Sequence, residues 1–432
     1  SEAVRRKFIF YRMNFLRTAS DLDPLIGKID EAKYVLLGEA SHGTHEYYTW
    51  RTAISKRLIQ EKDFSFIAVE GDWPDCYQIN RYVKGYTTAG ATAIDVLKKI
   101  KRWPTWMWSN WEIAALMEWL REYNRNRPLH KKIGFYGLDV YSLWESMDVM
   151  VSYLRREDPA AAKLAIEAIR CFEPYGEEGH NYARAMLTLS ADCTEEVIKL
   201  LQTIRKHSRG YDHDLEASLN AEMNAHVIVN AEKYYRAMVS FRDESWNIRD
   251  THMVETLDAV MHFHGKHAKG IVWEHNTHVG DARYTDMKNS GVINVGQLVR
   301  ERHPGPREVF IVGFASYQGS VIASHAWGAD IERMTVPPAI SGSIEYDLHN
   351  EAPTDRVLLL DENSWKQRFK GLRGHRAIGV VYHPEREHGN YVPTILPSRY
   401  DALIYIDQSK ALHPLHLAPD GTEVPDTYPF GF

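Results

Sequence analysis

The chain has 432 residues, 44% hydrophobic and 25% charged, ordinary proportions for a folded globular protein that exclude extended disorder and allow a large core spread over two or three structural units. Its formal net charge of −6 offers no positive field to a phosphate backbone, so nucleic acid is a poor partner and a small or neutral substrate fits better. Three scattered cysteines, Cys76, Cys171 and Cys193, are too few for a disulfide framework or a paired-cysteine zinc site, and a reducing, cytoplasmic setting is expected.

Along the chain, Arg5, Arg6, Lys7 and Arg12 interrupt short apolar pieces at the start, so neither a signal nor a membrane span is expected there. The first apolar, β-branched run, 34–37, has the character of a strand buried on both faces. Gly38, Glu39, Ala40, Ser41, His42 and Gly43 follow it, then a helix-like stretch over 47–61. A second run, 66–69, leads into Glu70, Gly71 and Asp72, and a third, 133–136, into Gly137, Leu138 and Asp139. Another helical stretch, 112–124, separates them, preceded by Trp103, Trp106, Trp108 and Trp111. This βαβ rhythm builds a parallel sheet.

About 130 residues without strand pattern come next, too long for a structureless connection in a compact protein. Amphipathic pieces at 145–156, 160–172, 194–207, 215–239 and 246–264, broken at Asp158-Pro159, at 173–176 and around Gly210, predict a large helical insertion forming a second subdomain. Strand-like runs resume at 270–273, 309–312 and 378–381, with 402–406 as a further candidate, while 337–342 and the stretch from Pro414 read as loops. The expected class is α/β: a mostly parallel sheet flanked by helices, divided into a core part at 1–144, the insertion at 145–265 and a second core part at 266–432.

Each run ends in small or polar residues that a buried sheet does not need. Glu274, His275, Asn276, Thr277 and His278 follow the fourth, and Gly313 to Ser316 the fifth. In parallel sheets ligands bind beyond the carboxyl ends of the strands, so these segments are expected to line one pocket centred on His42. Gly38 and Gly43 would let the chain turn sharply around His42, the next helix would aim its N-terminal amides at the crevice, and Glu46 could reach back to the imidazole. A carboxylate after an apolar run, as at Glu39, Glu70 and Glu274, needs a cation or several donors; structural ion pairs with Arg51 or Arg249 are the plainer reading of each alone. His275 and His278 resemble a metal pair at moderately specific spacing. The tryptophans suit a large amphipathic ligand or packing, and His262, His264 and His267 read as exposed residues near a helix end. There is no nucleophile elbow, zinc-protease helix, phosphate loop or dinucleotide fingerprint, which favours a water nucleophile over a serine.

The order of Leu37 to Glu46 with Arg51, of Val69 to Trp73, of Trp106 to Asn124 with Glu112, of Gly137 to Asp139, of Asn247 to Met253 and of Trp273 to His278 resembles the erythromycin esterase-like family; the region after about Ser320 contributes little. The resemblance implies hydrolysis of an ester, in the best-known members a macrolide lactone and hence antibiotic resistance, without a metal or other cofactor. It implies that His42 activates water, that Glu70 is its companion carboxylate, and that Glu39, Arg51, His275 and His278 are polar residues of the cleft. Our reading makes Glu70 the orienting group and Arg51 with His275 or His278 the oxyanion donors. Trp106, Trp108, Glu112, Asp139, Arg249 and Ser316 are taken as substrate contacts. Two alternatives stand beside it: a metallohydrolase in which Glu39, His42, Glu70, His275 and His278 hold a divalent ion, and a protein that captures a macrolide or carbohydrate without turnover.

Overall fold

A computed structural model describes residues 14–172, 193, 195–196, 215–240 and 242–417. Apart from residues 195–196, the helix expected at 194–207 lies outside the described residues, as do the breaks expected at 173–176 and Gly210. Strands β1 (Asn14–Phe15), β2 (Tyr34–Leu37), β3 (Phe66–Asp72), β4 (Gly134–Asp139), β5 (Gly270–Trp273), β6 (Val309–Ser324), β7 (Ile331–Val336), β8 (Arg356–Leu359) and β11 (Ala402–Ser409) form one sheet in the order β1-β8-β11-β6-β2-β5-β3-β4, with β7 paired to β6. The pairs from β11 through β4 are parallel, and β1, β7 and β8 add antiparallel edges. A separate ribbon joins β9 (Arg373–Arg376) to β10 (Tyr391–Thr394).

Period-two alternation assigns the two faces. Tyr34, Leu36, Phe66, Ala68, Tyr136, Leu138 and Val272 point into one core, and Val35, Leu37, Ile67, Val69, Phe135, Ile271 and Trp273 into the other. The second core is covered by helices α1 (Asp23–Ile29), α2 (His45–Lys62), α3 (Trp73–Val83), α4 (Ala93–Leu97) and α5 (Trp111–Asn124). On the first face lies the helical insertion: α6 (Leu143–Glu157), α7 (Pro159–Ile169), α8 (Leu215–Ser240) and α9 (Arg242–His264). Met147, Leu154, Ala165, Ile228, Met253 and Val260 share one continuous cluster with the sheet. A mostly parallel α/β sheet with a helical insertion is thus the architecture.

Three expectations are corrected. The run 378–381 is no strand. Ile378 and Val381 make single bridges to Ser41 and Ser324, and the buried Ile378 fills a small cluster with Val321 and Met334, so its apolar character serves packing instead of a ladder. Cys171 and Cys193 form a disulfide, with Cα atoms 5.8 Å apart, while Cys76 is free and buried; 22 residues of separation did not betray the pairing. His264 is also not an exposed helix-end residue. It meets the Tyr136 hydroxyl at 3.0 Å, and burial pushes its pKa down to about 3.

Candidate active site

Parallel pairing brings the carboxyl ends of β2, β3, β4 and β5 side by side, and β3 carries an irregularity that interrupts its register with β4 between Val69 and Asp72. That bulge contains Glu70 and Gly71, and such a kink re-aims side chains at the end of a strand. A cavity of about 410 Å³ opens there, lined among others by His42, Glu70, Asp139, Arg249, His275 and His278. Gly38 and Gly43 serve close approach: a Cβ on Gly38 would stand 2.1 Å from Asn276 Oδ1, and one on Gly43 1.9 Å from the Ile322 carbonyl oxygen. Neither has the positive φ that a sharp left-handed turn would need.

His42 Nδ1 lies 2.8 Å from Glu39 Oε1, and Arg51 Nη2 donates to Glu39 Oε2 at 2.6 Å. A carboxylate only accepts, so Nδ1 of His42 carries the hydrogen and Nε2 keeps its lone pair. Arg51 is itself enclosed, donating from Nε to the Tyr47 carbonyl at 3.2 Å and lying against the Tyr48 and Trp273 rings. The carboxylate at His42 is therefore Glu39, where Glu70 was expected. Arg51 stands behind Glu39, outside the cavity lining. Glu46 turns away to accept from the Lys410 amide at 2.8 Å, and the first amide of α2, that of His45, is taken by the Lys410 carbonyl at 2.8 Å. The helix N-terminus thus faces the C-terminal segment and not the crevice.

His275 has the opposite tautomer. Its Nδ1 accepts from the Thr277 amide at 3.3 Å and lies 2.8 Å from the Thr277 hydroxyl, so the hydrogen sits on Nε2, a buried atom with no hydrogen-bond partner among the described residues. Burial and the adjacent His42 keep the ring's pKa well below the ordinary imidazole value. The two rings are 4.9 Å apart between centroids. One presents a lone pair and the other a neutral N–H donor.

Glu70 is an ion-pair partner. Its Oε1 accepts from Arg249 Nη2 at 2.8 Å and its Oε2 from the His275 amide at 2.8 Å. Burial alone would raise its pKa, but His278, His42 and Arg249 hold it well below the usual carboxylate range. Arg249 also forks onto Asp139, at 2.9 and 2.7 Å. His278 lies between Asp250, 2.9 Å from Nδ1, and Glu70, 3.4 Å from Nε2, with Trp246 stacked at 4.5 Å. Burial opposes a charge on this ring, yet Asp250 and Glu70 outweigh it and lift its pKa to about 10. The contact of Arg249 Nη1 with His278 Nε2 at 2.9 Å needs a neutral ring, because a guanidinium only donates. The carboxylate field favours the imidazolium, and Arg249 keeps its place through Asp139 and Glu70. Glu274 is completely buried with both oxygens unpartnered among the described residues, and burial raises its pKa well above the ordinary carboxylate value.

Among the other predicted contacts, Trp108 lines the cavity, whereas Trp106, Glu112 and Ser316 do not. Trp106 is packed in the core, Glu112 meets His45 and His413, and Ser316 accepts from the Tyr47 hydroxyl at 2.8 Å. Asp72, expected at the pocket, lines the wall, as do residues that the sequence left without a role: Asp75, Arg102, Tyr141, Trp246 and Trp327. Burial raises Asp72 to about 7 and Asp75 to about 6. Asp75 follows Glu70 by five residues, so its position after a strand was the available signal; Trp246 and Tyr141 gave none. The five residues of the metallohydrolase alternative do not gather their ligand atoms as an ion would require; among the described residues the trio that does is His45, Glu112 and His413.

A family model described as Erythromycin esterase matches residues 59–409. The match begins downstream of Glu39, His42 and Arg51, and it runs well past Ser320, where the motifs had thinned. Over 395 residues the chain is 21% identical to "Putative hydrolase YbfO" of Bacillus subtilis (strain 168), covering 87% of this chain and 83% of that protein. The structure of a succinoglycan biosynthesis protein superposes with a TM-score of 0.75 at 22% identity, covering 94% of this chain and 97% of that one. A mutant of the erythromycin esterase EreC in its open conformation gives 0.64 at 16% identity, covering 91% and 95%. At such identities the likeness establishes the fold.

Proposed function

The chain belongs to the erythromycin esterase family, and from that premise we propose that it is a hydrolase of carboxylic esters, macrolide lactones among them, with His42 as the base that activates water. One observation carries the reading: Glu39 on Nδ1 of His42, 2.8 Å away, leaves Nε2 as the lone-pair nitrogen of a ring that lines the cavity, 4.9 Å between centroids from His275, whose buried Nε2–H has no hydrogen-bond partner among the described residues. Water attacks the ester carbonyl carbon while Nε2 of His42 takes its proton. The carbonyl oxygen becomes an anion, which His275 Nε2–H receives. Collapse of the tetrahedral adduct breaks the bond to the alkoxide, and His42 returns the proton to it, so ester and water become acid and alcohol.

Arg51 and Glu39 act through His42, holding its tautomer as the carboxylate of a serine-protease triad does. Arg249, Glu70, Asp139 and His278 form a charged wall that fixes the segment bearing His275, since Glu70 accepts that residue's amide. Trp108, Tyr141, Trp246 and Trp327 give the cavity apolar faces suited to a large ligand.

The test is a panel of macrolides and simple esters followed by mass spectrometry, in which hydrolysis adds one water and mere sequestration adds nothing. With a substrate in hand, His42→Gln should lower kcat by about 10²- to 10⁴-fold while the chain stays folded. Retention of near-parental turnover by that variant would rule out the base assignment.

A further inference from the structure

A second cluster of ligand-type side chains lies on the other side of the His42 loop. His45 opens α2, Glu112 sits in the first turn of α5, and His413 comes from the C-terminal segment. Nδ1 of His45 and Nδ1 of His413 each lie 2.6 Å from the same oxygen, Oε1 of Glu112, and the two rings stand edge to face at 5.2 Å. Hydrogen bonding alone uses this carboxylate unevenly. Two donors converge on Oε1, while Oε2, buried with the rest of the side chain, has no hydrogen-bond partner among the described residues. None of the three residues lines the cavity.

We propose that His45, Glu112 and His413 bind one divalent cation, with zinc the best match. Two imidazole nitrogens and a carboxylate form a zinc donor set, whereas calcium and magnesium take oxygen ligands. His413 keeps a third of its side chain exposed, at 32%, leaving one side open for a water as fourth ligand. To ligate the ion, each imidazole gives up its Nδ1 hydrogen and offers that nitrogen's lone pair. Ligands on a tetrahedral zinc stand roughly 3.3 Å apart, so the set must widen from its present 2.6 Å contacts.

The backbone around the cluster indicates what the ion would do. Leu412 donates to the Gly43 carbonyl at 2.9 Å, Trp111 to the His413 carbonyl at 3.0 Å, and Leu415 to the Ser109 carbonyl at 3.0 Å. Asn110 accepts from the Ile113 amide at 2.8 Å and so fixes the turn that bears Glu112. The ion would clasp the C-terminal segment onto the start of α5 and onto the loop that carries His42. This proposal does not depend on the reaction assigned to the cleft.

The experiment is calorimetric titration of zinc chloride into the untagged, chelator-stripped full chain, with metal analysis and a thermal melt alongside. The expected result is one zinc per chain, micromolar or tighter, with a raised Tm, weakened at least tenfold in both His413→Gln and Glu112→Gln and retained in His275→Gln. His413→Gln, on a partly exposed segment, keeps the test usable if Glu112→Gln does not fold. Absence of stoichiometric binding, undiminished binding in His413→Gln, or loss of binding in His275→Gln would each overturn the proposal, the last by placing the ion in the cleft.

Discussion

At residue scale, the two adjacent histidines that line the cavity are set by what holds Nδ1. An acidic oxygen at His42 and an amide hydrogen at His275 fix opposite tautomers, and hydrogen bonding to neighbours is what usually decides which ring nitrogen is active. Glu39→Gln tests this directly. The amide keeps the shape of the carboxylate but can donate to Nδ1, which would move the hydrogen to Nε2 and remove the base. In the serine-protease triad the corresponding change costs about 10⁴-fold in kcat, and a loss of about 10²- to 10⁴-fold is expected here with little effect on KM. A kcat unchanged in Glu39→Gln, at unchanged Tm, would show that the tautomer is set by something else.

At the scale of elements, α8 and α9 are joined through a polar contact within an apolar interface. His252 is buried, receives Asn230 Nδ2 at 3.0 Å and stacks on His226 at 4.8 Å. Burial and His226 depress its pKa to about 3, against the weaker opposing pull of Asp139 and Glu255. The folded state thus binds this proton more weakly than the unfolded state, whose histidine titrates near 6.5. Below that value the unfolded chain takes up more protons, so stability is present above it and is lost progressively as the pH falls toward about 3. Acidifying from about pH 7.5 to about pH 5.5 should cost about 1.4 kcal/mol through His252. Urea unfolding at both values, in parent and His252→Gln, measures it, and an identical pH dependence in the two would contradict the assignment.

At the scale of the whole molecule, the bond between Cys171 and Cys193 ties the end of the α7 region to a residue 22 positions later. Thiol titration in denaturant without reductant should therefore find one reactive cysteine, Cys76; three would mean that the bond does not form. The strands that build the sheet's parallel half were legible because both-face burial writes a continuous apolar run, as at 34–37, 66–69 and 270–273. The antiparallel strands β7 and β8 were missed; β7 is largely polar and exposed, so no apolar run marks it. Similarly, Glu39, Glu70, Asp139 and His275 were legible as a group because each follows such a run, and the order of strands then brings their ends together.

The amino-acid order by itself determined the α/β class, the helical insertion and the family, since periodicity, burial on two faces and motif order are all properties of neighbouring positions. It also determined that polar groups at strand ends would meet. Only the tertiary structure decided which carboxylate holds His42, that Arg51 stands behind the cleft, that Glu112 joins His45 and His413, and which two cysteines pair. Those choices depend on distances of a few ångströms between segments tens or hundreds of residues apart, and the packing of sheet, helices and C-terminal segment fixes such distances where local spacing cannot.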